Sequence, residues 1–417
     1  MIIKAIKARE ILDSRGNPTL EVDCLTDNGV FTSGVPSGAS TGGNEAFELR
    51  DGGHRFGGKG VLKAVKNVNE IIGPKIVGED CTCQSKIDKM IIELDGTEGT
   101  YNLGANAIVG VSMAVCKAGA CAKRLPLYEY IAELSKNEIS TPFPCFNIIN
   151  GGAHSDNGLD FQEFMIVPQS NSFRENLRMG SEIYYQLKKV LKDSYPNVSL
   201  GSGDEGGFAP MITLPEIALG LIMKAIDGAD YMNQVKIILD VAATEFYGEV
   251  EGKRGGFYHF KSGFYSSSDL LKYYSELIES YPIIGIEDPF AENDWDGFKK
   301  INNRLGKKIM VIGDDLTVSN PQLIEKAEIE RACNAVILKI NQIGTVSEII
   351  EASNLSKSYG WKTIVSHRSG ETTDSFISDL AVGLGADYIK SGAPVRGERL
   401  AKYNRLCRIE DKIMNDI

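Results

Sequence analysis

The 417-residue chain reads as an α/β protein, a small N-terminal α+β domain followed by a β/α (TIM-like) barrel. Apolar runs recur, and each closes on charge: VKIILD on Asp240, PIIGIED on Glu287, IMVIGDD on Asp314 and Asp315, AVILK on Lys339, KTIVSHR on His367 and Arg368, DYIK on Lys390. From Glu287 the steps to Asp314, Lys339, His367 and Lys390 are 27, 25, 28 and 23 residues, the length of one strand, one helix and two short loops. The chain also has room for a full barrel of about 250 residues and a second domain.

In a parallel barrel the carboxyl ends of the strands open onto one shared pocket. A single strand-end lysine can be a snorkelling side chain or half of an ion pair. Three acids and two lysines at the same place in successive units look instead like metal ligands and a base.

Taken in order, residues 2–12, 20–25 and 30–35 predict three strands in a meander, turned at Ser14-Arg15-Gly16-Asn17-Pro18 and Asp27-Asn28-Gly29. Residues 36–43, PSGASTGG, are too rich in small residues for regular structure. On composition they are a linker or a mobile loop with hydroxyl groups beside an active site. Helices are predicted over 60–72, 84–94 and 106–123, the last apolar on most faces and therefore buried. Polar residues and prolines over 133–144 mark the domain boundary, giving domains 1–135 and 136–417. Beyond it come a strand, the loop Gly151-Gly152-Ala153-His154, and a second strand carrying Gln162 and Glu163 with no helix between them. A helix over about 173–192 leads to Gly203-Asp204-Glu205-Gly206-Gly207, which by itself reads as a surface turn.

A net charge of −11 and a pI near 5.1 argue against general affinity for nucleic-acid backbone or anionic lipid. An anionic substrate must then be held by local metals and strand-end cations. The eight cysteines show no CxxC pair or zinc spacing, so most should be small buried hydrophobes. Lys4 and Lys7 interrupt the N-terminus, and no run reaches the roughly 18 apolar residues of a membrane span. A reducing cytoplasm fits this composition. No dinucleotide fingerprint follows a strand, and there is no P-loop.

The stretches AREILDSRGNPTLEVD, VPSGASTG, LGANAIVGVSMAV, NIINGGAHSDN, QEFMIVP, GDEGGFAP, IEDPFAENDW, GDDLTVSNP, LKINQIGT, SHRSGET and IKSGAPVRGERLAKYNRL span most of the chain. By them it closely resembles the enolase family, which interconverts 2-phosphoglycerate and phosphoenolpyruvate. The resemblance implies an enolase-type barrel with an early antiparallel strand. It implies Asp240, Glu287 and Asp314 as ligands of a higher-affinity Mg2+, with Ser40 joining a second Mg2+ that binds with substrate. Glu205 falls on the general acid and Lys339 on the general base. Lys390 falls on the lysine that holds the substrate carboxylate, and Arg368 and Ser369 on phosphate contacts. His154, Gln162, Glu163 and His367 match pocket residues. A homodimer or higher homo-oligomer is implied, with no nucleic acid required. Departures are few: Ala242-Ala243-Thr244 stands where Ala-Ser-Ser is common, Thr373 replaces a usual Glu, and Thr100-Tyr101-Asn102 replaces a lysine-bearing segment.

The implied chemistry explains the residue types. Removing a proton next to a carboxylate builds a second negative charge on one group, which magnesium ions on hard oxygen ligands can neutralise. Lys339 must be neutral to accept that proton, and burial, magnesium and Lys390 should lower its pKa. Glu205 should carry a proton for the leaving hydroxide, raised by like-charge coupling to Glu163. Another dehydratase or racemase of the same superfamily shares the fold; the loop at 37–43 and Ser366 to Ser369 are what a phosphate demands. A structural or surface-binding role would be additional to the complete acid, base and ligand set.

Overall fold

The computed structural model describes residues 1–38, 42–155, 157–196, 201–249 and 256–415. The meander is present as β1 (Ala5–Leu12), β2 (Pro18–Thr26) and β3 (Gly29–Gly34), antiparallel in that order. Helix α1 (Gln84–Asp95) precedes α2 (Ala105–Lys123) and α3 (Leu127–Ser135), and α2 lies across β2 and β3. Gly110 makes that contact possible, because a Cβ there would stand 2.7 Å from Val22 Cγ2 and 2.9 Å from Val35 Cγ2. On length and composition α2 could cross a membrane, which the sequence reading did not anticipate; in the fold 83% of its apolar window is buried as the core of this domain. The helix predicted over 60–72 is broken into Leu62–Asn67, a π-helical turn at Val68–Ile72, and Gly73–Ile76.

Among the described residues eight strands close into a barrel: β4 (Phe143–Asn150), β5 (Glu163–Pro168), β6 (Val235–Asp240), β7 (Ile283–Glu287), β8 (Met310–Gly313), β9 (Ala335–Leu338), β10 (Lys362–Ser366) and β11 (Tyr388–Lys390), with β11 pairing β4. All pair in parallel except β5, which is antiparallel to both β4 and β6. That is the irregular opening expected, and it needs no helix between β4 and β5. Helices cover the outside, among them α4 (Phe173–Ser194) and α5 (Val346–Ser358).

Strand alternation fixes what points where. Cys145, Met165, Ile238, Met310, Ile312, Ala335, Ile337 and Ile364 form one apolar cluster on the barrel axis, whereas Phe146, Ile166, Leu239, Val311, Val336, Leu338 and Val365 belong to the larger core outside it. Two residues beyond Ile238, Ile312 and Ile337 on the inward face come Asp240, Asp314 and Lys339. On β7 an irregularity between Ile283 and Gly285 resets the phase. Gly285 then faces Ile312, Met310 and Ile238, and Glu287 points inward.

The two domains are joined by a buried polar knot. Asp88 of α1 accepts from Gln84 Nε2 (3.0 Å), Ser112 Oγ (2.7 Å), Ser347 N (3.0 Å) and Ser347 Oγ (2.6 Å), the last two at the start of α5. Burial raises its pKa against these donors. Removing the carboxylate strands several buried donors, each worth about 1–3 kcal/mol. Asp88→Ala is therefore expected to lower unfolding stability by at least about 2 kcal/mol, measured by urea denaturation.

Candidate active site

A narrow cleft with room for about 20 Å³ opens at the carboxyl ends of the strands, lined by His154, Gln162, Glu163, Glu205, Asp240, Lys339, Ser366, His367, Arg368, Ser369 and Lys390. Glu287 and Asp314 stand behind its two lysines. Ser40 lies outside the described residues. A larger hollow at the opposite end of the barrel carries Lys236, Lys307, Lys308 and Lys362 but no acid or histidine on its walls.

Lys390 Nζ is the hub of one wall. It lies 2.7 and 2.8 Å from the two oxygens of Glu287, 3.4 Å from Asp240 and 3.6 Å from Glu163, all buried. Burial would lower its pKa, but Glu163, Glu287 and Asp240 outweigh burial and hold it well above the ordinary lysine value. Gln162 Nε2 donates to Asp240 Oδ2 at 3.3 Å. Lys339 pairs with Asp314, whose carboxyl is drawn down to about 2 against the pull of burial, by Lys339, Lys390 and Arg368. The expectation of a lowered Lys339 pKa is not met here. Burial, Arg368 and Lys390 do push it down, but the adjoining Asp314 charge leaves it raised.

The opposite wall holds Glu205. Asn147 Nδ2 donates to its Oε2 at 2.9 Å, and His367 Nε2 stands 3.4 Å from the same oxygen. His154, Glu163 and Glu205 bring one ligand atom each within 4.8 Å of one another. Burial and the Glu205 charge drive Glu163 well above the carboxylate range. Burial would raise Glu205 too, but the His367 and His154 rings and the Arg399 guanidinium facing it leave it low. The two acids are thus driven apart in this structure, Glu163 up and Glu205 down, whereas the sequence reading concerns Glu205 in the reactive complex. Glu205 is not the surface residue its Gly-rich turn suggested, being 2% exposed.

At the third wall Arg368 Nη1 lies 2.9 Å from Glu45 Oε2 and 3.1 Å from Asn341 Oδ1. Arg15 Nη1 donates to Ser369 Oγ at 3.2 Å, while its Nη2 reaches the carbonyls of Ser37 and Gly38, both at 3.1 Å. Arg399, fully buried, donates to the carbonyls of Arg368 (2.7 Å) and Ser369 (2.6 Å) and meets His367 Nδ1 at 2.6 Å. Asn147, Arg15, Arg399 and Glu45 are the participants that sequence reasoning missed. For Asn147, Arg15 and Arg399 the one signal was membership of the motif stretches; Glu45 lies just past VPSGASTG and carried none.

The donor set fits magnesium. Asp240, Glu287 and Asp314 offer buried hard oxygens from neighbouring strand ends, and two of them already converge on a cationic nitrogen. Among the described residues, the groups whose ligand atoms lie within 4.8 Å of one another are His154, Glu163 and Glu205 and, separately, Asp288, Asp314 and Asp315; Asp240, Glu287 and Asp314 do not form such a group.

Two family profiles match the chain, "Enolase, N-terminal domain" over residues 3–131 and "Enolase, C-terminal TIM barrel domain" over residues 138–417. The chain belongs to the enolase family. It is 53% identical to Enolase B of Dictyostelium discoideum over 422 residues, covering 99% of this chain and 95% of that protein. It is 51% identical to the Enolase of Mastigamoeba balamuthi (99% and 96% covered) and 53% to that of Thermococcus gammatolerans (99% and 95% covered). This enolase-family chain is thus an enzyme of the lyase class, a phosphopyruvate hydratase.

Arginine can only donate, so Nδ1 of His367 accepts from Arg399 and the ring proton sits on Nε2, toward Glu205. Burial, with Arg399 reinforcing it and Glu205 opposing, lowers the His367 pKa from 6.5 to about 4. A depressed folded-state value means that stability is held above pH 6.5 and lost as pH falls toward 4. Nitrogen-15 NMR should find His367 neutral, protonated on Nε2, at pH 6, and Arg399→Ala should move its titration upward.

Proposed function

We propose that the chain catalyses the magnesium-dependent, reversible dehydration of 2-phospho-D-glycerate to phosphoenolpyruvate, in glycolysis and gluconeogenesis. The observation that supports this reading is that Lys339, Glu205, Lys390, Arg368 and Ser369 line one cleft. Lys390 holds the substrate carboxylate, and Arg368 with Ser369 the phosphate. Lys339 removes the C2 proton once it has given up its own proton and its pairing with Asp314. Glu205 protonates the leaving hydroxide from the other face, drawing on the proton it shares with Glu163. His154 and His367 flank that oxygen, and Gln162 keeps Asp240 turned inward. Asp240, Glu287 and Asp314 would hold the first of two magnesium ions and Ser40 would join the second. Bound there, magnesium supplies the positive charge that a carboxylate needs as it gains a second negative charge. The enzyme works in the cytoplasm as a homodimer or higher homo-oligomer.

Purified protein given 2-phosphoglycerate and MgCl2 should form phosphoenolpyruvate, read by its ultraviolet absorbance, and EDTA should abolish the reaction. No product at any magnesium concentration would sink the proposal.

The division of labour is tested by deuterium exchange at C2. Lys339→Ala should lose both exchange and turnover, by about 10²-fold or more. Glu205→Gln should lose turnover while exchange persists; equal loss of both would reverse the assignment.

A further inference from the structure

Gln342 does not line the cleft, yet it joins two of its walls. It lies in the short helix Ile340–Ile343 after β9 and is 1% exposed. Its Nε2 donates to Asp314 Oδ1 at 3.0 Å and to Glu45 Oε1 at 3.3 Å. Its Oε1 accepts from Ser319 Oγ at 2.7 Å, and Ser319 Oγ accepts from Lys339 N at 2.9 Å. Its own carbonyl takes the Ala46 N–H at 2.9 Å. Glu45 in turn holds both terminal nitrogens of Arg368, at 2.9 and 3.2 Å. A primary amide is the neutral side chain that offers two N–H donors on one nitrogen and an acceptor beside it, and here all three are engaged.

We propose that Gln342 is a positioning residue that couples cation binding at Asp314 to phosphate binding at Arg368. The proposal rests on the functional reading above for those two roles. A cation on Asp314 drains the charge that Gln342 Nε2 donates to, so the amide leans toward Glu45. Glu45, better satisfied, holds Arg368 less tightly, and a phosphate competes for the guanidinium more easily. The same chain runs in reverse when phosphate arrives first, so the two ligands favour one another by one common factor. Lys339 is anchored to this amide through Ser319, which keeps the proposed base in register with both.

The test uses isothermal titration calorimetry of the full-length protein with inorganic phosphate, with and without MgCl2, and with MgCl2, with and without phosphate. In the wild type each probe should tighten the other by about 5-fold or more. Gln342→Met keeps the volume and removes all three hydrogen bonds, and the factor should fall toward one. Glu45→Gln keeps an acceptor for Gln342 but removes the ion pair; phosphate alone should bind tighter and the coupling should again fall. That second variant decides the matter if Gln342→Met fails to fold. Undiminished coupling in either folded variant, or no coupling in the wild type, overturns the proposal. Failure of the functional reading has a different signature: Asp314→Asn leaving magnesium affinity unchanged, or wild-type protein inert toward 2-phosphoglycerate.

Discussion

Because side chains alternate along a strand, a strand that aims Ile238 at the barrel axis must aim Asp240 there as well, one step nearer the carboxyl end. The same parity binds Ile312 to Asp314, Ile337 to Lys339 and Ile364 to Ser366. An apolar plug below and a charged mouth above are thus one decision made repeatedly. A one-residue slip in β6 or β9 would send its charge into the layer between barrel and helices and turn Leu239 or Leu338 toward the axis. Where the spacing does not come out even, as on β7, an irregular pairing restores the phase and Gly285 leaves room for the neighbours it then meets.

That geometry forces ionised groups together in a place with little water, where an unpaired charge is very costly. The fold answers with internal counter-ions: Lys390 among Glu287, Asp240 and Glu163, Lys339 on Asp314, and Arg368 on Glu45. Each cation that would meet a substrate group is already held by a carboxylate. Binding at such a site is an exchange of partners, so the site can remain folded and rigid before any ligand arrives. The raised Lys339 and Lys390 follow from the same compensation.

The periodic part of this arrangement was legible in the sequence. The run-and-charge rhythm located Asp240, Glu287, Asp314, Lys339, His367 and Lys390, and the strand pairing brings them to one mouth. The N-terminal meander and helix α2 were legible for the same reason, since burial writes a repeating pattern. What was not legible depends on pairings between distant positions. Asn147 reaches Glu205, Arg15 reaches Ser369, Glu45 reaches Arg368, and Arg399 reaches three backbone carbonyls. None of these obeys a period. The opposite electrostatic bias on Glu163 and Glu205 was equally invisible, because it depends on which of two acids faces two histidines and an arginine.

Glu205 shows how a site residue can be placed without a strand. The base sits one residue past β9, whereas Glu205 sits in the turn Gly203 to Gly207 of a short hairpin, Gly201–Ser202 against Phe208–Ala209, that pairs with β4 through Ile149 and Phe208. Gly206 turns the chain at a φ of +89°, and Gly207 packs against Asn150 so closely that a Cβ would lie 2.3 Å from its side-chain oxygen. Arg396 then grips the Gly203 and Asp204 carbonyls, at 2.9 and 3.0 Å, and Arg399 the Asp204 carbonyl at 3.2 Å. Asn147, inward on β4, ties the carboxylate itself to the barrel. Two arginines from one stretch of chain and one strand amide thus add to the pairing of that short hairpin with β4. Since Arg399 also holds the carbonyls of Arg368 and Ser369 and meets the His367 ring, the acid and the phosphate end share an anchor.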